Sequence, residues 1–397
     1  MMKVKLGYFT HSNFAPSETF IYDLVKSLNS EEDIDLTYIT GKKVPLKTDF
    51  EVKSITTGYS EKYLNWTFII YKIGQMFGKG YQMKMQFQKL VAFRSIKNSK
   101  LPQFDIAYVD YATSAVLLMD YFEVNKIPFI VHVHGYDITS CLKDTAYIKE
   151  VKKLFKKATA FIVASHYMKR RLILLGCEEK KINVIRLGVE YKSIVPKSWT
   201  DRKKQVPSII FLGRLTEKKH PVALLYAFKI VKEKIPEAQL SIIGDGPLKN
   251  EVQQIIKDLG LIQSVKMYGV LNRTESFPIL NNHWLYVQHS VTAISGDTEG
   301  FAISLAEAAL HELPVVSTIH NGIVENVIDG KTGFLVPEYD YETMAEKIIY
   351  LIQHPDIAEQ MGKAGREHIM KLCEPGKRIK EIKYLLIDKY SSNKTMN

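Results

Sequence analysis

Two glutamates in "EGFAISLAEA", Glu299 and Glu307, stand eight residues apart across what reads as the entrance of a helix. Gly296, Asp297 and Thr298 form a loop, and residues 302–310 carry helical apolar spacing that stops before Pro314. Backbone N–H groups over residues 300–303 are then left without intrahelical acceptors, and a helix entrance of that kind binds phosphate. At 1.5 Å per residue the two carboxylates lie about 12 Å apart along the axis. Paired carboxylates of glycoside hydrolysis lie about 5 to 9.5 Å apart, so these two suit the ends of one long hydroxyl-bearing ligand better than a hydrolytic pair. On spacing alone, a capping acid followed by a charged helix face is the competing reading.

A second group of residues supplies cations. "FLGRLTEKKH" follows the apolar run "SIIFLG" and places Gly213 in a turn ahead of Arg214, Lys218 and Lys219. A glycine turn beside guanidinium and ammonium donors can cradle a diphosphate, although basic residues after a strand are also commonly just solvated. In "SIIGDGPLKNEV", Gly244 and Gly246 permit a tight turn, and Asp245 there reads equally as a ligand contact or as part of the turn. The third glycine of the dinucleotide fingerprint is missing and there is no GKS or GKT, which weakens NAD and ATP-hydrolysis readings. "VHVHGYDIT" ends another strand with His132, His134 and Asp137. Strand alternation puts both histidines on one face, but no third ligand sits at a known spacing, so no metal is expected. His134, at the strand end before Gly135, is the functional candidate, and His132 reads as a core residue.

These residues need a scaffold of strands and crossover helices. "KVKLGYFT", "DLTYIT", "FDIAYVD", "PFIVHVHG", "AFIVAS" and "INVIRLG" are strand candidates in the first half, and "SIIFLG", "QLSIIG", "SVKMYG", "WLYVQHS" and "PVVST" in the second. Unbroken apolar strands alternating with helical patterns predict parallel sheets covered on both faces. With 397 residues, two doubly wound α/β domains follow, 1–200 and 201–375, joined through the polar, basic stretch 195–207, which reads as a linker. Residues 376–397 form a last helix with apolar spacing at Ile379, Ile382, Leu385 and Leu386, which either closes the second domain or crosses back to the first.

Hydrophobic residues at 46% and charged residues at 24% exclude a long disordered region. Cys141, Cys177 and Cys373 are far apart and outside any CxxC pair, consistent with reduced thiols and a cytoplasmic setting. "MMKVKLGYFTHSNF" fits a first strand better than a signal peptide, and nothing reaches the length of a membrane span. The formal charge of +11 implies an anionic partner. Between residues 61 and 100, lysines and one arginine alternate with Trp66, Phe68, Tyr71, Phe77, Tyr81, Phe87 and Phe93, opposed by one acid, Glu61. Such a stretch suits an anionic lipid surface; helices packed by their aromatic faces with solvated lysines outside are the alternative. No RNA-binding signature accompanies it, so nucleic acid is not an expected partner.

In their order, "GRLTEKK", "GDGP", "EGFAISLAEA" and "NGIVENVIDGKTGFLV" resemble the donor domain of glycosyltransferase family 4. "APSETFIYDL" and "HVHGYD" resemble its acceptor domain, especially in members that build bacterial exopolysaccharide. The resemblance implies a GT-B fold, with two Rossmann-like domains facing a cleft, an N-terminal acceptor-binding one and a C-terminal donor-binding one, and a terminal helix crossing back. It implies metal-independent, retaining transfer from a nucleotide-diphosphate sugar to a glycan or lipid-linked acceptor in cell-surface polysaccharide biosynthesis, in the cytoplasm or at the inner membrane face. No cofactor is implied. By the same resemblance Arg214 and Lys219 hold the diphosphate, Glu299 the transferred sugar and Glu307 the ribose, with Gly213, Asp245 and Gly246 nearby. The amides of Gly300, Phe301 and Ala302 meet the distal phosphate, His134 approaches the reaction centre, and Ser17, Glu18 and Thr19 contact the acceptor. His220 departs from the family's usual glycine, and "SNFAPSETF" replaces a double glycine. A nucleotide-sugar epimerase of the same fold, a glycosidase, and a non-catalytic basic lipid- or RNA-binding module are the rivals.

Overall fold

Short parallel strands, the central ones buried along most or all of their length, are the framework. The computed structural model describes residues 3–11, 13–14, 18–42, 48–60 and 64–396. In chain order it begins with β1 (Val4–Thr10), α1 (Thr19–Asn29), β2 (Ile34–Thr40), β3 (Lys53–Thr56), α2 (Leu64–Met76), α3 (Gly80–Asn98), β4 (Ile106–Asp110) and α4 (Ala112–Val124). It continues with β5 (Phe129–Val133), α5 (Thr145–Lys157), β6 (Ala160–Val163), α6 (His166–Leu174) and β7 (Ile182–Val184). These strands form a parallel sheet in the order β3-β2-β1-β4-β5-β6-β7. Every residue of β4, β5 and β6 is buried, which explains why those strands read as apolar runs without alternation. The covering helices start on local signals: Asp144 accepts from the N–H groups of Ala146 and Tyr147 and thereby caps α5.

The later elements are α7 (Trp199–Arg202), β8 (Ser208–Leu212), α8 (Pro221–Lys234), β9 (Gln239–Ile243), α9 (Lys249–Asp258), β10 (Val265–Gly269), α10 (Arg273–Asn281) and β11 (Leu285–Gln288). They are followed by α11 (Ile303–Leu310), β12 (Val315–Thr318), α12 (Ile323–Asn326), β13 (Gly333–Val336), α13 (Tyr341–Gln353), α14 (Pro355–Leu372) and α15 (Pro375–Met396). The second sheet is also parallel, ordered β10-β9-β8-β11-β12-β13. Its two faces bury separate cores, one around Phe211, Leu224, Phe228 and Met344, the other around Tyr286, Leu305 and Ile323. Both sheets follow the doubly wound pattern, in which strand order reverses once and ligands bind beyond the carboxyl ends at the reversal. The reversals fall between β1 and β4, and between β8 and β11.

Met1–Arg186 with Gly376–Asn397 makes one compact unit, and Leu187–Pro375 the other. The division at Arg186/Leu187 lies ahead of residue 200 because the following segment is tied to the second unit. The Val189 N–H donates to the Cys373 carbonyl, and Arg366 donates to the Ile194 carbonyl at 3.0 Å. The expected linker 195–207 is therefore corrected: it contains α7, whose Trp199 and Arg202 are fully buried. Arg202 donates to the carbonyls of His311 and Glu312 and Arg366 to that of Leu310, so two guanidinium groups close the C-terminal end of α11. A composition-based reading sees only charge there, because an arginine that caps a buried helix end looks like one that is solvated. The terminal helix α15 belongs to the first unit, where Ile382, Leu385 and Leu386 are buried, and Arg378 donates to the Phe20 carbonyl at 3.1 Å.

Candidate functional site

In the second unit, the loop after β8 turns at Gly213, passes through a short 3-10 turn at Glu217–Lys219 and enters α8. Gly213 is a matter of space: a Cβ there would lie 2.9 Å from Cδ of Lys219. With only hydrogen at that position, the lysine stem lies along the turn and its ammonium reaches the switch point. Lys219 Nζ donates to Gln288 Oε1 at the end of β11 at 3.1 Å and lies 3.4 Å from Glu299 Oε1. Lys218 Nζ stands 3.3 Å from Asp297 and 3.8 Å from Glu299. Behind Lys219, the amide of Gln288 donates to Ser290 Oγ, and its carbonyl oxygen also receives Ser304 Oγ at 3.2 Å.

The electrostatics of this cluster are unbalanced towards positive charge. Burial alone raises the Glu299 carboxyl, but Lys219 and Lys218 outweigh it and hold the group at about 2. Burial also lowers the Lys219 ammonium, and Glu299 opposes this only in part, since Lys218 and Arg214 push the same way as burial. Glu299 and Asp297 balance Lys219 and Lys218, and Arg214 at the rim adds a further positive charge, so the cluster favours an added anion. The N-terminus of α11 supplies a matching feature: Ala302 at its cap position provides no side-chain cap. Gly300, Phe301 and Ala302 are all buried beside this entrance, and Asn326 Nδ2 donates to the Ala302 carbonyl at 3.0 Å. The Glu299 N–H donates to His320 Nε2, which assigns the remaining ring proton to Nδ1, 2.6 Å from Glu338.

Glu307 lies in the second turn of α11, buried, and its Oε1 receives Nε and Nη2 of Arg273 from α10, both at 3.2 Å. Arg214 is exposed. Asp245 is engaged within its own turn, accepting the Gly246 N–H at 2.7 Å and pairing with Lys249 at 2.6 Å. Gly246 approaches the Leu215 backbone so closely that a Cβ would fall 2.4 Å from its carbonyl oxygen. The departure at His220 has a local reason. Its φ is +35°, in the left-handed region that glycine tolerates, and its Nδ1 accepts the Ala223 N–H at 3.1 Å, so the imidazole caps α8.

The first unit gathers a different set at its own switch point. Asp110, at the end of β4, accepts from Tyr8 of β1 and receives His134 Nε2 on Oδ1 at 2.7 Å. Because a carboxylate oxygen only accepts here, Nε2 of His134 carries hydrogen. Burial, then Asp110, raises Tyr8 well above the ordinary phenol range, which keeps it a donor. Burial lowers His132 well below its ordinary range, and its Nδ1 shares a hydrogen bond with Tyr108 Oη at 2.6 Å. Asp110, His132 and His134 each offer one metal-ligand atom within 4.8 Å of the others. Asp137 is not the third member of that group: its carboxylate accepts the N–H groups of Ala112, His134 and Gly135, so it shapes the turn after β5.

Of the acceptor candidates, Ser17 lies outside the described residues. Glu18 precedes α1, accepts from Tyr111 Oη at 2.8 Å and lies 3.9 Å from His11 Nε2; Thr19 opens α1. Tyr111 takes φ +68°, an uncommon conformation for a tyrosine, directly after Asp110. Gln288, Arg273, Asp110 and Tyr8 escaped the sequence reading. Two of them carried a signal, since Gln288 and Asp110 are polar residues that end apolar strand runs.

Residues 17–192 match the family model "Glycosyltransferase Family 4", and residues 197–368 match "Glycosyl transferases group 1". The amylovoran biosynthesis glycosyltransferase AmsK of Erwinia amylovora is 33% identical over 220 residues, 55% of this chain and 54% of that protein. The capsular polysaccharide biosynthesis glycosyltransferase CapM of Staphylococcus aureus is 27% identical over 223 residues, 53% of this chain and 57% of that protein. The chain thus spans about half the length of the curated relatives it matches. Among solved structures, HepE of Anabaena in complex with UDP and glucose superposes with a TM-score of 0.73 at 18% identity, covering 97% of this chain and 100% of that one. Sucrose-phosphate synthase from Thermosynechococcus elongatus gives 0.78 at 16% identity, covering 98% and 100%. At these identities the likeness concerns the fold.

Proposed function

Because the chain belongs to the glycosyltransferases, with a family 4 domain followed by a group 1 domain, we propose that it moves a sugar from a nucleotide-diphosphate donor to a glycan or lipid-linked acceptor in polysaccharide biosynthesis. The observation that carries this reading is the Glu299–Lys219 pair, its carboxylate buried, at the N-terminus of α11, with Lys218, Asp297 and Arg214 beside it. Lys219, Lys218 and the α11 amides receive the diphosphate; Arg214 adds charge from the rim. Glu299 holds hydroxyls of the transferred sugar, and Glu307, steadied by Arg273, holds the ribose.

In the reaction the bond between the anomeric carbon and the phosphate oxygen breaks, and the acceptor oxygen bonds to that carbon on the same face, so configuration is retained. Negative charge grows on the departing diphosphate, where fixed cations and helix N–H groups stabilise the transition state more than the ground state. The acceptor hydroxyl passes its proton to the departing phosphate oxygen, and neither a protein nucleophile nor a metal takes part. His134, its Nε2–H held by Asp110, offers Nδ1 to a hydroxyl group. AmsK and CapM, named for exopolysaccharide and capsule synthesis, support the pathway class, and the UDP bound to HepE makes UDP-sugars the first donors to test. We place the reaction at the inner face of the cell membrane, since the stretch 64–100 is basic and aromatic.

A thermal-shift panel of nucleotide sugars, followed by release of nucleoside diphosphate with and without a lipid-linked acceptor, tests the proposal. One donor should raise the melting temperature and turn over only with acceptor. Donor conversion without acceptor supports an epimerase instead, and protection by no nucleotide sugar removes the transferase reading.

A further inference from the structure

The helices α2 and α3 pack as a hairpin. Gly74 and Gly80 let them meet closely, since a Cβ on Gly74 would lie 2.8 Å from the Gly80 Cα. Along α2, Trp66, Ile69, Ile73 and Met76 recur at spacings of three and four and so share one face, continued by Phe77 in the turn. All five are exposed, with Trp66 at 62%, Met76 at 82% and Phe77 at 69%. A continuous stripe of large apolar side chains facing outward marks a surface that another apolar phase covers. The inward face of α3 is built instead from Met85, Lys89, Ala92 and Ile96, with Lys89 Nζ 2.6 Å from Glu150 and 2.8 Å from Asp120. Aromatic packing on the sheet therefore does not account for this segment, and Lys89 is not one of its solvated cations.

Charge selects the phase. Residues 64–100 hold seven lysines and arginines and no aspartate or glutamate. Among the described residues Lys89 alone of the seven forms an ion pair, leaving Lys72 on α2, Lys79 in the turn and Lys84 on α3 around the apolar tip. At the base of the hairpin a groove of about 690 Å³ is walled by Trp66, Phe87 and Val91, and one to two turns further along α3 it becomes polar at Arg94 and Asn98. Its apolar end and its guanidinium end match the acyl boundary and the phosphate of one lipid. No helix among the described residues is long and apolar enough to cross a membrane.

We infer that the α2–α3 hairpin docks on a bilayer carrying anionic phospholipid, with Met76 and Phe77 sunk at the level of the headgroups and a lipid phosphate seated on Arg94 in the groove. This deepens the placement of the transferase at a membrane and rests on it. A free phosphate ion could engage Arg94 but would leave the apolar stripe and the apolar wall of the groove unused.

The test is cosedimentation of the full chain with vesicles of phosphatidylcholine, alone or with about one third phosphatidylglycerol, at low and raised salt. The wild type should be retained on the anionic vesicles and partly released by salt. The double variant Met76→Asp/Phe77→Asp should lose retention by about tenfold or more while keeping its melting temperature and its thermal protection by donor, because both side chains are exposed. Arg94→Ala should weaken retention on anionic vesicles and leave the weaker binding to phosphatidylcholine unchanged. Absence of wild-type retention on anionic vesicles, or retention of the double variant at the wild-type level, overturns the docking; equal loss of Arg94→Ala on both vesicles overturns the headgroup seat. Displacement by soluble glycerol phosphate beyond that by salt of equal ionic strength means a soluble phosphate ligand and also overturns it. Vesicle retention needs no donor, so a protein that is retained but protected by no nucleotide sugar sinks the transferase reading and leaves the docking standing.

Discussion

At the β8/β11 reversal a lysine crosses the switch point, Lys219 to Gln288, and its ammonium also meets a buried glutamate. At the β1/β4 reversal a tyrosine makes the crossing, Tyr8 to Asp110, and a histidine completes the cluster. The topology is shared and the chemistry is not. Lys218, Lys219 and Arg214 gather about Glu299 and Asp297 and suit a diphosphate, whereas a phenol and an imidazole donate to Asp110 and suit hydroxyl groups. A doubly wound sheet specifies where a ligand sits; the residues ending two strands specify what kind of ligand it is.

Breaking the cationic side should have the largest effect. Lys219→Ala is expected to lower kcat by about 10² to 10³ and to abolish thermal protection by the donor, as loss of one preorganised donor to a developing anion does. Steady-state kinetics with a melting curve checks both; activity within a factor of about three of wild type would remove Lys219 from the diphosphate site.

Acid titration is the next sharpest probe. Glu299 is held at about 2 against an ordinary 4.5, so the native state binds fewer protons between those values. Its contribution, about 3 kcal/mol, is fully present above 4.5 and is lost as pH falls through 2. Urea unfolding followed from about pH 6 down to about pH 2, read against Glu299→Gln, should show that slope in the wild type and a shallower one in the variant.

The cluster around Asp110 answers differently. His134→Ala should reduce kcat by about 10² while the donor's thermal protection persists, which separates a contact at the reaction centre from one on the diphosphate. Loss of protection in this variant would merge the two roles. Arg273→Ala leaves Glu307 buried without its guanidinium and should weaken nucleotide binding about tenfold, measured by titration calorimetry. Smallest of all, His220→Gly exchanges a capping imidazole for a residue at ease at φ +35°, and the melting midpoint should move by the equivalent of less than about 1 kcal/mol.

Legibility followed chain distance. The donor-side residues lie in two short stretches, 213–220 and 297–307, where turn glycines, cations and a helix entrance are neighbours in sequence. Tyr8 and Asp110 come from two strands and His134 from the residue after a third, and Arg378 joins their unit from the far end of the chain, so no window of sequence contains them. Eleven strands were visible as apolar runs. The two that were not, β3 and β13, lie at sheet edges, are four residues long and lack a continuous buried face. The stretch 195–207 was misread because burial of Arg202 depends on a helix end more than a hundred residues away.

The sequence by itself determined the α/β class, the two sheets and the donor motifs, since strand burial, helix periodicity and turn chemistry act over a few residues. Tertiary structure alone decided which strand ends face one another, that Gln288 receives Lys219, that Arg273 steadies Glu307, and that α2 turns its apolar stripe outward. Those outcomes rest on contacts between distant segments, where hydrogen-bond satisfaction and desolvation select among arrangements that local preferences leave equal.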